Sequence, residues 1–210
     1  MSQIAAITAA VEAGKSKQVV ALVQEALDAG CAPIDILNEG MINAMANIGE
    51  KFKRNEVFVP EMLVSARAMK KGVAVLQPHL ASGDTSRLGK MVIGTAFGDL
   101  HDIGKNLVAM MVESTGYEVL DLGVDVSAEQ FMEAANDPAV NVIGISTLLT
   151  TTMPSMKDIV ATLNTHPRRS EFKIMVGGAP ITQAFADEIG ADIYTADAAS
   201  AADAAKAVSC

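Results

Sequence analysis

From Lys90 onward, five short apolar runs take turns with segments of helical period, and few architectures accommodate that alternation. The runs fall near 90–95, 117–122, 141–146, 172–176 and 192–194; the helical segments fall near 104–115, 127–136, 153–165, 181–189 and 197–208. Val92 with Ile93, and Val142 with Ile143, sit in unbroken apolar stretches, as strands covered on both faces do. Strands that alternate with helices in this way predict an α/β region built on a five-stranded, doubly wound parallel sheet. The alanine-rich end from Ala196 is expected to be its last helix.

The preceding residues carry no strand pattern. A short helix is expected from Ile4 to Glu12. Val19, Leu22, Val23, Ala26 and Leu27 share one face of a second, which Gly30 and Pro33 punctuate. Leu37, Met41, Met45, Ile48 and Phe52 recur at three- or four-residue spacing in a third helix opened near Pro33. Met62, Ala66, Met69, Val73 and Leu76 do so in a fourth, between Pro60 and Pro78. Four amphipathic helices with short turns predict a small bundle, its methionines chiefly core filler. The turn-rich stretch Ala81 to Ser86 separates the two patterns, so the expected domains are 1–88 and 89–210.

Charge and composition narrow the partners. The formal charge is −9 and concentrated in the second region: residues 1–89 hold nine acids and nine bases, residues 90–210 sixteen and seven. Such a chain does not attract nucleic acid. No apolar run approaches the ~18 residues of a bilayer span, and the start Met-Ser-Gln-Ile lacks a basic leader, so a cytoplasmic protein without membrane contact is expected. Cys31 and Cys210 lie far apart and suit a reducing compartment.

The chemistry-bearing residues gather where strands end. In an open parallel sheet, ligands bind beyond the carboxyl ends of strands. After the first strand comes Gly98-Asp99-Leu100-His101-Asp102-Ile103-Gly104, with one of the three histidines of the chain. An imidazole between Asp99 and Asp102 can ligate a metal through one nitrogen while a carboxylate holds the other N–H; equally, the two acids can cap the next helix beside a solvated His101. The third strand runs into Ser146-Thr147-Leu148-Leu149-Thr150-Thr151-Thr152, and the fourth into Gly177-Gly178. In the flavodoxin-like order 2-1-3-4-5, strands one, three and four are neighbours, so these loops meet. There the glycines let a ligand lie against backbone, and the hydroxyls can bond its polar edge. His79 and His166, each beside a proline, are expected to be structural or surface residues.

Asp99-x-His101-x-x-Gly104, then Ser146-x-Leu148 after 41 residues, then Gly177-Gly178 after a further 28, resembles the cobalamin-binding signature of corrinoid-dependent methyltransferase systems. The helical region resembles the four-helix cap that accompanies that module in methionine synthase and in corrinoid methyl-carrier proteins, so the likeness spans nearly the whole chain. The resemblance implies cobalamin or a related corrinoid as cofactor, held base-off and His-on. His101 is then the lower axial ligand of cobalt, Asp99 the partner of its other nitrogen, and Thr152 the hydroxyl completing a relay where the methionine synthase module has serine. Gly98, Asp102, Ile103, Gly104, Ser146, Leu148, Thr150, Gly177 and Gly178 would surround the cofactor and its nucleotide tail, while Phe52, Val59 and Met62 would cover the methyl-bearing side. The linker at 81–88 would be the hinge of the cap.

The implied function is that of a non-catalytic carrier subunit. It would shuttle a methyl group between a substrate:corrinoid methyltransferase and a corrinoid:acceptor methyltransferase, with a reductive activase as a further partner. The acceptor could be a folate, another pterin or a thiol. A corrinoid-binding sensory or regulatory protein is the rival reading, disfavoured because no basic DNA-reading segment is present. A flavin carrier would need more hydroxyls after strand one. A receiver domain would need an aspartate where Ser146 stands, and a cobalamin mutase a large substrate barrel.

Overall fold

The computed structural model describes residues 2–76, 78–79 and 88–209, and the chain divides into two compact units, Met1–Ser86 and Arg87–Cys210. The linker expected at 81–86, and all but the last residue of the hinge expected at 81–88, lie outside the described residues.

The first unit is a four-helix bundle: α1 (Gln3–Glu12), α2 (Ser16–Asp28), a long third helix, and α5 (Val59–Leu76). Ser2 caps α1 by accepting the Ala5 N–H at 3.2 Å. Gly30, at φ +83°, ends the α2 turn, and Pro33 opens the third helix at a position where its missing N–H costs nothing. That helix is not uniform. It begins as α3 (Pro33–Asp35), widens to a π-helix over Ile36–Ile42, and resumes as α4 (Asn43–Lys53). The widening is stabilised from outside, since the Thr8 hydroxyl on α1 donates to the Gly40 carbonyl at 3.1 Å. Met41, Met45, Ile48, Met62 and Leu76 are fully or almost fully buried, each contributing roughly 1.5–3 kcal/mol by leaving water. Close packing reaches the backbone of α5, where a Cβ on Gly72 would lie 2.6 Å from the Met41 Cε and 2.8 Å from Val19.

The second unit is the expected doubly wound domain. Strands β1 (Lys90–Thr95), β2 (Glu118–Asp121), β3 (Val140–Ser146), β4 (Lys173–Gly177) and β5 (Ile193–Tyr194) are all parallel, in the order β2-β1-β3-β4-β5. Phe131, Ile143, Met156, Ile159, Phe172 and Ile174 form the core shared with α7 (Ala128–Ala134), α8 (Met153–Leu163) and α9 (Gln183–Ile189). Helices α6 (Ile103–Glu113) and α10 (Ala198–Val208) pack on one another, with five buried alanines of α10 allowing the approach. β2 is shorter than expected at both ends. Tyr117 leaves the strand to bury its ring, and its hydroxyl donates to the Ala205 carbonyl at 2.6 Å.

Register fixes the site. Thr95 pairs with Ser146 and Ser146 with Gly177, so the three central strands end level and release their loops side by side.

Candidate cofactor site at the carboxyl edge of the sheet

The loop from β1 to α6 turns through Gly98, whose φ of +81° is cheap only without a Cβ. It then drops Asp99 into the interior, wholly buried, and returns His101 to the surface with 52% of its side chain exposed. Thr95, buried at the end of β1, donates its hydroxyl to the His101 carbonyl at 2.8 Å, so His101 is tied to the sheet.

Asp99 joins two loops. One carboxylate oxygen accepts the His101 backbone N–H at 3.0 Å and faces His101 Nδ1 at 2.9 Å. The other accepts the Leu148 N–H at 2.7 Å, the Leu149 N–H at 3.3 Å, the Thr147 hydroxyl at 2.9 Å and the Thr152 hydroxyl at 3.1 Å. The two threonine hydroxyls also touch one another. Burial alone would raise the carboxyl's pKa, but the backbone N–H groups of Leu148 and His101, the imidazole and the Thr147 hydroxyl outweigh it and hold the pKa well below the usual carboxylate range. The carboxylate is therefore charged, and the imidazole carries its proton on Nδ1. His101 Nε2 has no hydrogen-bond partner among the described residues and is left as a bare donor of an electron pair.

The two loops joined by Asp99 also expose large apolar side chains. Phe97, Leu100 and Ile103 from one loop, and Leu148 and Leu149 from the other, are exposed. Asp102 stands at the N-cap position of α6 but makes no side-chain cap; its carboxylate accepts the Asn106 amide at 3.1 Å instead. Of the two acids that could have been helix caps, neither is one. A Cβ on Gly104 would meet open space.

The third and fourth loops are locked together. The Thr147 N–H donates to the Gly177 carbonyl at 3.2 Å, and Gly178 adopts φ +133° with its missing Cβ pointing into the Thr147 carbonyl. Any side chain there would collide with backbone. Ser146 is half-buried and Thr150 exposed. Among the expected cap residues, Phe52 lies in the last turn of α4 and is half-buried, Val59 begins α5 and is half-buried, and Met62 is fully buried on α5.

Three residues of the site were not singled out from sequence. Thr147 was one hydroxyl in a row of five, and only its register beside Gly177 shows that it points inward to Asp99. Lys105, buried, meets Asp121 Oδ2 at 2.5 Å and Asn106 Oδ1 at 2.7 Å, closing α6 against the end of β2. Asp125 meets the Gly98 N–H at 2.7 Å. His166 is a packing residue: both ring nitrogens are engaged, Nδ1 by the Arg168 N–H and Nε2 by the Asn136 side chain, and the ring packs edge-on against Phe172.

Among the described residues no three of His, Cys, Asp and Glu converge to hold a bare metal ion. A single free imidazole nitrogen, on loops that expose Phe97, Leu100, Ile103, Leu148 and Leu149, instead fits a metal whose equatorial positions a flat macrocycle already fills. No helix among the described residues is long and apolar enough to cross a membrane.

Comparison with known proteins agrees with the geometry. Residues 89–206 and residues 3–77 each match a family described as B12 binding domain. The "Dimethylamine corrinoid protein 1" of Methanosarcina mazei is 42% identical over 202 residues, covering 96% of this chain and 88% of its own. A corrinoid protein of Desulfitobacterium hafniense is 40% identical, covering 91% and 90%. Among solved structures, a chain of the methanol:cobalamin methyltransferase complex MtaBC from Methanosarcina barkeri superposes with a TM-score of 0.87 at 29% identity, over 99% of this chain and 79% of that one. A cobalamin-binding protein of D. hafniense gives 0.82 at 26% identity, over 98% of both chains.

Proposed function

The chain belongs to the B12-binding corrinoid proteins, and on that premise we propose that it carries a methyl group between two methyltransferases on the cobalt of a corrinoid bound base-off and His-on. When bound, the corrinoid supplies the metal that accepts and releases the methyl group. Everything else is work for the protein. His101 offers Nε2 as the lower axial donor; Asp99 keeps the proton on Nδ1 and orients the ring, and the Thr147 and Thr152 hydroxyls fix Asp99. Thr152 is the hydroxyl through which a proton reaches the Asp99–His101 pair. Gly98, Asp102, Ile103 and Gly104 shape the ledge under the macrocycle, and Ser146, Leu148, Thr150, Gly177 and Gly178 line the crevice for the nucleotide tail. Phe52, Val59 and Met62 are the helical unit's candidates for shielding the reacting side from water.

One observation carries this reading: a buried, fully bonded carboxylate holds one imidazole nitrogen while the other is left free, on loops that expose large apolar side chains. The names of the relatives, dimethylamine and trimethylamine corrinoid proteins, and the methanol complex among the structural neighbours support small methylated compounds as the methyl source. In this reading the partners are a substrate:corrinoid methyltransferase, a corrinoid:acceptor methyltransferase and a reductive activase, and the compartment is the cytoplasm.

The test is reconstitution of the full chain with hydroxocobalamin. In the Co(II) state, the electron paramagnetic resonance spectrum should show coupling to one imidazole nitrogen, altered by 15N-histidine labelling. Methyl-loaded protein should lose its methyl group to a thiol or folate acceptor only when a partner methyltransferase is added. Absence of the nitrogen coupling would remove the ligand assignment, and corrinoid-dependent DNA binding would turn the carrier into a sensor.

A further inference from the structure

The loops of β1, β3 and β4 meet as expected, but a fourth loop joins them. Residues 123–126, between β2 and α7, run alongside residues 95–99. Thr95 donates its N–H to the Gly123 carbonyl at 3.0 Å and accepts the Val126 N–H at 2.9 Å, and Ala96 bridges to Val126 in parallel register. Sheet pairing thus continues past the end of β1, up to the residues that present the ligand.

Asp125 is the point of closest grip. Its backbone N–H donates to the Asp99 carbonyl at 3.0 Å, and its carboxylate accepts the Gly98 N–H at 2.7 Å. Making both bonds requires φ +56°, a left-handed conformation that side chains seldom adopt and that aspartate and asparagine tolerate best. The only other non-glycine residue in this conformation among the described residues is Asn55, in the turn before α5. Asp125 is exposed, so the strained backbone is not bought by burial of its side chain. Asp99 itself has its N–H on the Ala96 carbonyl at 3.0 Å. With Asp125 on the Asp99 carbonyl and on the Gly98 N–H, the backbone is held on both sides of the Asp99 side chain.

We propose that Asp125 is a positioning residue for the axial ligand: it clamps the Gly98–Asp99 dipeptide from both sides, by the Gly98 N–H and the Asp99 carbonyl, so that the Asp99 carboxylate reaches His101 Nδ1 and the β3 loop together. This rests on His101 being the cobalt ligand. Asp125 makes no hydrogen bond to His101 and acts only through the backbone of Gly98 and Asp99.

Three substitutions in the full chain separate its two contributions. Asp125→Asn keeps an acceptor for Gly98 and tolerates the left-handed backbone. Asp125→Gly keeps the backbone and loses the acceptor; Asp125→Ala loses the acceptor and disfavours the backbone. In cofactor-free protein, hydrogen exchange at the Gly98 amide should quicken in the Gly and Ala variants and stay near wild type in the Asn variant. After loading with hydroxocobalamin and reduction to Co(II), the Gly and Ala variants should show a smaller fraction with imidazole-nitrogen coupling and about tenfold weaker corrinoid binding, the scale typical of lost outer-sphere support, with rescue by Asn. Should Asp125→Ala not fold, Asp125→Gly decides. Folded Gly and Ala variants that keep wild-type nitrogen coupling and affinity overturn the proposal and leave His101 in place. A wild-type protein without nitrogen coupling overturns both.

Discussion

The second unit contains two histidines at opposite ends of one sheet, and they are built in opposite senses. His166 has both nitrogens bonded, its ring packed on Phe172 and almost no exposed surface. His101 has one nitrogen bonded, to a carboxylate that is itself saturated, and presents the other from a half-exposed ring. A histidine that serves packing spends its whole hydrogen-bonding capacity inward, whereas one that serves a ligand is satisfied on one side only. The surrounding polar groups follow the same division. Beside His166, the Arg168 guanidinium is consumed by the Ala135 and Asp137 carbonyls at 2.7 and 2.6 Å. Beside His101, the donors converge on Asp99 and leave a ledge of exposed Phe97, Leu100 and Ile103.

Exchanging the two fates tests this contrast most directly. His101→Ala should abolish the imidazole coupling in the Co(II) spectrum and leave thermal unfolding within a few degrees of wild type, since an exposed ring is lost. Next in size is Asp99→Asn. Whichever way the amide is placed, its NH2 group opposes a backbone N–H, from Leu148 on one side or His101 on the other. Facing Nδ1, that NH2 would force the proton onto Nε2 and block the axial position. Stability should fall by about 1–3 kcal/mol per unpaired buried group, read by urea denaturation, and the His-on fraction should fall with it.

His166→Ala is the mirror experiment. It should cost about 1–3 kcal/mol by orphaning the Arg168 N–H and emptying the space against Phe172, yet leave corrinoid affinity and the Co(II) spectrum unchanged. An effect on the spectrum would erase the distinction between the two ends. The smallest effect is that of acid. Because Asp99's carboxyl titrates lower folded than unfolded, its contribution is complete above the unfolded value of about 4 and is lost progressively as pH falls below it toward the folded value. Urea midpoints measured between pH 7 and 3 should decline in wild type, and less steeply in Asp99→Asn.

The fold was legible because parallel strands buried on both faces leave uninterrupted apolar runs, and Val142 through Ile145 form such a run without ambiguity. The π-helical stretch around Gly40 was not legible, since it depends on a threonine 32 residues away on another helix. The same reason hid part of the site. His101 and Asp99 declare themselves by residue type and spacing, and the structure places them within hydrogen-bond distance. Thr147 and Asp125 act through orientation, which strand register and a left-handed backbone determine, and neither is written in local composition.

The attachment of Asp99, on the crossover from β1 to β2, to the crossover from β3 to β4 has a thermodynamic consequence. On the proposed ligation by His101, a macrocycle bordered by Leu148 would rest on both crossovers at once, and loosening either one would require giving up the guest. Occupancy and resistance to heat or protease are then one linked quantity, worth about 2.7 kcal/mol when free corrinoid stands a hundredfold above its dissociation constant. Molecules holding cobalt would then outlast empty ones wherever heat or protease acts on both.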